Sequence, residues 1–196
     1  CPMHAGVVAG HAFRSDLDAF TRKDGSVFPI SVVSVPLFEG QRYAGTVAAF
    51  QDITERKRDE EYLLATSSRL SALIESMQAA VLVEDENFHV VTSNQAFCDT
   101  FGLDVGGNDL VGIPSAAILN ECTGLIADAE TFRGLARELI TGRRPMLGRE
   151  LGLVDGRVLE FDYVPIYLFP AMPQPEDCRG HLWLFRDITQ RKQEEA

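Results

Sequence analysis

Two aspartate–threonine pairs are the residues of this sequence best disposed to do chemistry, and that chemistry is hydrogen bonding at a helix start. Asp52 and Thr54 stand in Asp-Ile-Thr-Glu, and Asp187 and Thr189 in Asp-Ile-Thr-Gln. An aspartate at that position accepts from free backbone N–H groups of the first helical turn. Glu55 or Gln190, three residues on, would complete a capping box with aspartate in place of serine or threonine. The threonine hydroxyls are alternative caps. One cap is worth about 1 kcal/mol, comparable with the few kcal/mol that separate the states of a switch. These four side chains are therefore candidates for coupling a strand to a helix, with a plain domain end as the alternative role.

Other chemistry is sparse. No nucleophile elbow, phosphate loop, His-Glu-x-x-His or kinase signature is present. The histidines His4, His11, His89 and His181 have no metal-ligand spacing. The cysteines Cys1, Cys98, Cys122 and Cys178 form no Cys-x-x-Cys pair and no zinc pattern. Scattered thiols fit a reducing cytoplasm better than a disulfide framework. With 18 basic and 29 acidic side chains the formal charge is −11, which repels phosphate backbones and argues against nucleic acid as a partner. No apolar run approaches the roughly 18 residues that a membrane helix needs. The chain is expected to be a piece of a longer protein, with any anchor or output domain outside it.

The elements that must position these residues repeat. Residues 45–61 match residues 180–196 at Gly45/Gly180, Phe50/Phe185, Asp52/Asp187, Ile53/Ile188, Thr54/Thr189, Arg56/Arg191 and Lys57/Lys192. Each copy is an apolar strand, then Asp-Ile-Thr, then a charged helix. Upstream, Asp24-Gly25 and Asp155-Gly156 sit between β-branched and aromatic runs and predict hairpin turns. Pro36 and Pro165, late in the following strands, predict an edge position or a bulge. Two further strands, residues 80–85 and 88–93, join through Glu86-Asn87. Asn94 then caps a short helix that Gly102 stops in the left-handed region. A second helix spans 128–141, capped by Asp128, with Phe132, Leu135, Leu139 and Ile140 on one face.

Along 181–186 both strand faces are largely apolar, so both are expected to be covered, one by a core or cavity, the other by a linker helix or partner subunit. Residues 55–77 are helical in composition, with Ile53, Leu63, Leu70, Ile74 and Met77 in a weak seam. That seam fits a helix packed on its own domain or a parallel two-chain coiled coil, and either allows a homodimer.

In combination these segments, residues 83–102, 150–166 and 180–192 in one copy and 22–31 and 50–57 in the other, resemble the PAS family of sensory domains. The resemblance implies an α+β fold, a five-stranded antiparallel sheet with flanking helices, in tandem copies joined by a long helix. It divides the chain into 1–53, the last three strands of one such domain; 54–78, a helical linker; 79–189, a complete domain; and 190–196, the start of an exit helix. It further implies a sensor of a small molecule, redox state or light, with an output domain in cis, most often a histidine kinase of a phosphorelay. Diguanylate cyclases, phosphodiesterases and ligand-free dimerising spacers are the alternatives. The segment itself carries no catalytic constellation and is not expected to be an enzyme.

The sequence requires no cofactor. Haem-binding members present an axial histidine near the helix before the third strand. Residues 128–141 contain none, and only His4 and His11 lie in the matching part of the first copy. Flavin-photoadduct members carry cysteine in an Asn-Cys-Arg-Phe-Leu-Gln-like motif. Leu-Asn-Glu-Cys-Thr-Gly around Cys122 departs from it at nearly every position. Trp183 offers a ring for flavin stacking, although a lone tryptophan in a core strand usually serves packing.

Overall fold

The computed structural model describes Val7 and residues 10–195; the candidates Cys1 and His4 lie outside the described residues. The chain forms two compact units, residues 1–68 and 69–196. In the first, β1 (Phe13–Thr21), β2 (Val27–Glu39) and β3 (Arg42–Asp52) make an antiparallel sheet in the order β1-β2-β3. Asp24-Gly25 turns β1 into β2. Gly25 takes φ +86°, which a side chain disfavours, and the Asp24 carboxylate accepts the Ser26 N–H at 2.9 Å. Alternation buries Ile30, Val32 and Ser34 of β2.

Helix α1 (Thr54–Ser76) follows, and the boundary between the units falls within it. None of its residues is buried, and Leu63, Leu70 and Leu73 are exposed. The seam therefore does not pack on its own domain; Ile53, just before the helix, is its buried member.

The second unit holds β4 (Ala80–Asp85), β5 (Val90–Ser93), β6 (Met146–Gly152), β7 (Val158–Tyr167) and β8 (Cys178–Asp187). They form a five-stranded antiparallel sheet in the order β5-β4-β8-β7-β6, the α+β arrangement expected. The last strand thus lies at the centre, against the first. Between β5 and β6 run α2 (Gln95–Phe101), a 3₁₀ turn (Gly107–Leu110), α3 (Ser115–Cys122) and α4 (Ala129–Gly142). Helix α5 (Thr189–Glu195) leaves after β8. The core gathers Phe97, Phe101, Phe132 and Leu139 from the helices with Leu82, Phe161, Trp183 and Phe185 from the sheet. On the other sheet face Leu182 and Leu184 are only half-buried, so the cover expected there is incomplete among the described residues.

The prolines depart from expectation. Pro36 and Pro165 lie in β2 and β7, which are flanked on both sides and are not edge strands. Each proline falls beyond the paired stretch of one neighbour: β1 pairs with β2 only to Ser34, and β6 with β7 only to Tyr163. A missing N–H costs nothing where no partner strand remains. The ladder irregularities come slightly later, at Leu37/Phe38 and Ile166/Tyr167.

Candidate ligand cavity and exit junction

Strand alternation and helix spacing together hollow out one face of the second unit. In β4, Ala80, Leu82 and Glu84 face the helices; in β8, His181, Trp183 and Phe185 do. In α4, Phe132, Ala136 and Ile140 recur every four residues on the facing side, and the small Ala136 leaves space that a larger side chain would fill. The result is a cavity of about 560 Å³ between the sheet and α2, α3 and α4, within the size range of small-molecule sites. Its walls are mainly aromatic. Phe101 meets Phe97 at 4.9 Å and Phe185 edge-on at 5.1 Å between ring centroids.

One acid interrupts this apolar lining. Glu84, 3% exposed, accepts the Trp183 indole N–H at 2.5 Å on one oxygen and the Ser115 hydroxyl at 2.6 Å on the other. Burial pushes its carboxyl above the ordinary range, and the two hydrogen bonds oppose that only in part. Its cross-strand neighbour His181 bonds Tyr163 through Nδ1 at 2.8 Å and is stacked by Phe88 at 5.3 Å. Burial holds the His181 pKa below its usual value, so the ring is neutral near pH 7, and it raises that of Tyr163. Phe88 lines the cavity from the β4–β5 turn at φ +63°, a conformation rare for an aromatic residue and of the kind stored at functional sites.

A pH prediction follows from Glu84. A carboxyl raised in the folded state stabilises fully below its unfolded pKa, about 4.3, and loses that contribution as pH rises through the folded value. His181, lowered in the folded state, slopes the other way below about 6.5. Wild-type unfolding free energy minus that of Glu84→Gln removes the histidine contribution. It is expected to fall as pH rises above about 4.3 in denaturant titrations; a flat or rising difference would contradict the assignment.

The exit junction lies on the same strand as the cavity wall. Asp187 Oδ1 accepts the Thr189 N–H at 2.9 Å and the Thr189 hydroxyl at 2.5 Å. That hydroxyl in turn accepts the Val158 N–H of β7 at 3.0 Å. The Asp52–Thr54 pair repeats the first two bonds, at 2.9 and 2.5 Å, and the Thr54 bonds hold the Asp52 carboxyl below its ordinary range. The expected capping box is not formed. Each aspartate precedes the helix by two residues and binds the first helical threonine, a local Asx-type turn. No bond from Glu55 or Gln190 back to the cap is present among the described residues; Gln190 bonds Glu194 instead.

The two junctions also differ. The N–H of Ile188 binds the Val158 carbonyl at 2.9 Å, and that of Ile53 binds the Pro29 carbonyl at 3.1 Å, so Pro29 and Val158 are equivalent. Proline has no N–H, and the first junction therefore lacks the threonine-to-sheet bond of the second. Ion pairs hold α5 to the sheet as well: Arg191 to Glu160 at 3.3 Å and Lys192 to Glu150 at 2.7 Å. Solvent screening keeps such exposed pairs weak.

The remaining sequence candidates serve architecture. Asn94 caps α2 through the Phe97 N–H at 3.1 Å, and Gly102 ends it at φ +63°. Asp155 accepts the Arg157 N–H at 3.0 Å, and Gly156 takes φ +90° in the hairpin turn. Asp128 caps α4 through Thr131. Cys122 is buried at the cavity with its thiol pushed up to about 12 by desolvation, and so is an inert group there. His181, on the sheet side that faces the helices, is held by Tyr163 and is not among the described residues that line the cavity. Among the described residues no group of three or more His, Cys, Asp or Glu is placed to hold a metal ion. The sequence candidates omit Glu84, Ser115 and Phe88. The signal for Glu84 was its place at an inward position of the Ala-Val-Leu-Val-Glu-Asp strand.

A family model described as PAS fold matches residues 74–193, and one described as PAS domain matches residues 7–55. Among solved structures the chain is similar to the PAS domain of a protein from Colwellia psychrerythraea, with 19% identity and TM-score 0.43, covering 64% of this chain and 99% of that one. It is also similar to the PAS domain of an HTR-like protein from Haloarcula marismortui, with 26% identity, TM-score 0.41, 67% and 99% covered. A third is the PAS domain from Bordetella pertussis BvgS, with 22% identity, TM-score 0.44, 66% and 90% covered. No curated protein matches the chain significantly.

Proposed function

The chain belongs to the PAS fold family, and on that premise we propose that it is a tandem ligand-sensing and coupling region that regulates a histidine kinase output in a cytoplasmic phosphorelay. The observation that carries this is the continuity of β8. Trp183 and Phe185 line the cavity, and Asp187, two residues on, anchors the helix that leaves the domain. A ligand that moves β8 by a fraction of an ångström acts directly on the Asp187–Thr189–Val158 bonds. Bonds worth about 1 kcal/mol each are enough to bias a switch whose states differ by a few kcal/mol. A homodimer through α1 accompanies this proposal, because the apolar residues of that helix are exposed and a second copy would cover them. No described helix is long and apolar enough to cross a membrane.

Native mass spectrometry of the purified chain is expected to show a retained small molecule, or capture of one from a metabolite extract. Thr189→Val is expected to keep that binding within about twofold while changing output of the full-length kinase severalfold, since it removes about 1 kcal/mol of strand-to-helix coupling. Unaltered output in a folded, ligand-binding variant would remove the junction from the mechanism.

A further inference from the structure

We propose that the cavity of the second unit takes a small organic amine, an apolar ring body carrying a protonated nitrogen that sits against Glu84. The inference rests on the cavity being a ligand site and adds the chemistry of its occupant. Glu84 is the acid set in the wall, and two of its roughly four acceptor positions are used, by Ser115 and Trp183. The other two have no protein donor among the described bonds. A carboxylate enclosed by apolar walls is costly unless a donor or cation joins it, and an ammonium group supplies both charge and N–H.

The surroundings suit the same class. Phe88, Phe97, Phe101 and Trp183 present rings that attract a cation. Several charged or titratable groups stand near Glu84, among them Tyr163, on which it acts directly, and Arg143, whose charge acts on His181 and Tyr163. Asp85 follows it in β4 and adds negative charge. His181 opposite is neutral and tied to Tyr163. From α4, Arg133 and Arg137 reach the lining, and Arg133 is paired with Glu130 at 2.5 Å. The net charge of −11 raises the local concentration of cations around the whole chain. Because burial favours the protonated acid in the empty site, binding an ammonium releases the Glu84 proton to solvent, and affinity rises with pH until the ligand amine itself deprotonates.

Three probes of one shape test this on the intact chain: phenethylamine, 2-phenylethanol and 3-phenylpropionate, a cation, a neutral alcohol and an anion. Trp183 is the sole tryptophan and hydrogen-bonds Glu84, so its fluorescence reports occupancy, and calorimetry gives affinity. Phenethylamine is expected to bind at least about tenfold more tightly than 3-phenylpropionate, with affinity increasing as pH rises. Glu84→Gln is expected to weaken the amine about tenfold or more and to leave the alcohol within about threefold. Tighter binding of the acid than of the amine, or binding of the alcohol alone, overturns the amine assignment and leaves the cavity as a ligand site. Failure of all three probes overturns the amine assignment, and native mass spectrometry of the purified chain then decides separately whether the cavity is a ligand site. The wild-type comparison decides the matter even where Glu84→Gln does not fold.

Discussion

Asn94→Ala is expected to lower the stability of the second unit by about 3–5 kcal/mol, far beyond the loss of one helix cap. The side chain is fully buried and bonds five backbone groups at once, the longest of these contacts being to the Met77 carbonyl at 3.4 Å. Its oxygen accepts from the N–H groups of Val81 at 2.9 Å and Phe97 at 3.1 Å. Its nitrogen donates to the carbonyls of Ile74 at 3.0 Å and Ala79 at 2.9 Å. Asn94 thus pins the end of α1, the start of β4 and the start of α2 to one point. Each buried group left without a partner costs about 1–3 kcal/mol, and water reaching the cavity would recover part of that. Asn94→Asp keeps both acceptor bonds but buries a charge and sets its second oxygen against the carbonyls that Nδ2 served, so it is expected to cost at least as much. Denaturant unfolding of both variants checks this. A loss under about 1 kcal/mol in Asn94→Ala would show that these bonds are not the joint of the unit.

Gly180→Ala is expected to cost about 3 kcal/mol or more, whereas Gly45→Ala is expected to change stability by less than about 0.5 kcal/mol. The two glycines are equivalent in the repeated sequence, yet their surroundings differ. A Cβ on Gly180 would lie 2.0 Å from the Glu84 carbonyl oxygen of the neighbouring strand, at a backbone φ of +155° that side chains disfavour. A Cβ on Gly45 meets nothing within 4 Å. Because the obstructed atom belongs to Glu84, any Gly180→Ala protein that folds is expected to bind its ligand more weakly as well. Thermal unfolding of the two variants side by side gives the comparison. Equal effects would mean that the close approach of β8 to β4 is not maintained in solution.

The parts of this protein that could be read from the sequence are those whose causes lie within a few residues. The Asp24-Gly25 and Asp155-Gly156 turns follow from glycine's freedom at positive φ. The α2 boundaries at Asn94 and Gly102, and the α4 cap at Asp128, follow from local hydrogen bonds to the first turn. The inward set of β8 follows from a period of two. Errors arose where a local rule met a distant partner. The prolines predict an edge position or a bulge; the strands are not edges, the ladder irregularities come just beyond each proline, and where the neighbouring strands stop decides this. The Asp-Ile-Thr phrase predicts a capping box; both junctions form a local turn from aspartate to threonine in its place, and only the second adds a bond from the Thr189 hydroxyl to Val158, 31 residues away.

Glu84 shows the division most clearly. An acid at an inward strand position was visible in the sequence, but its partners Ser115 and Trp183 stand 31 and 99 residues away. By itself the sequence determined the repeated strand-to-helix junction, the turns and caps, and the acidic character, because short-range sterics and hydrogen bonding decide them. Which glycine is indispensable, which junction carries a threonine-to-sheet bond, and the meeting of one buried carboxyl with an aromatic cavity are legible only in the folded chain. Those depend on which strands become neighbours, and that is settled by packing of the whole core.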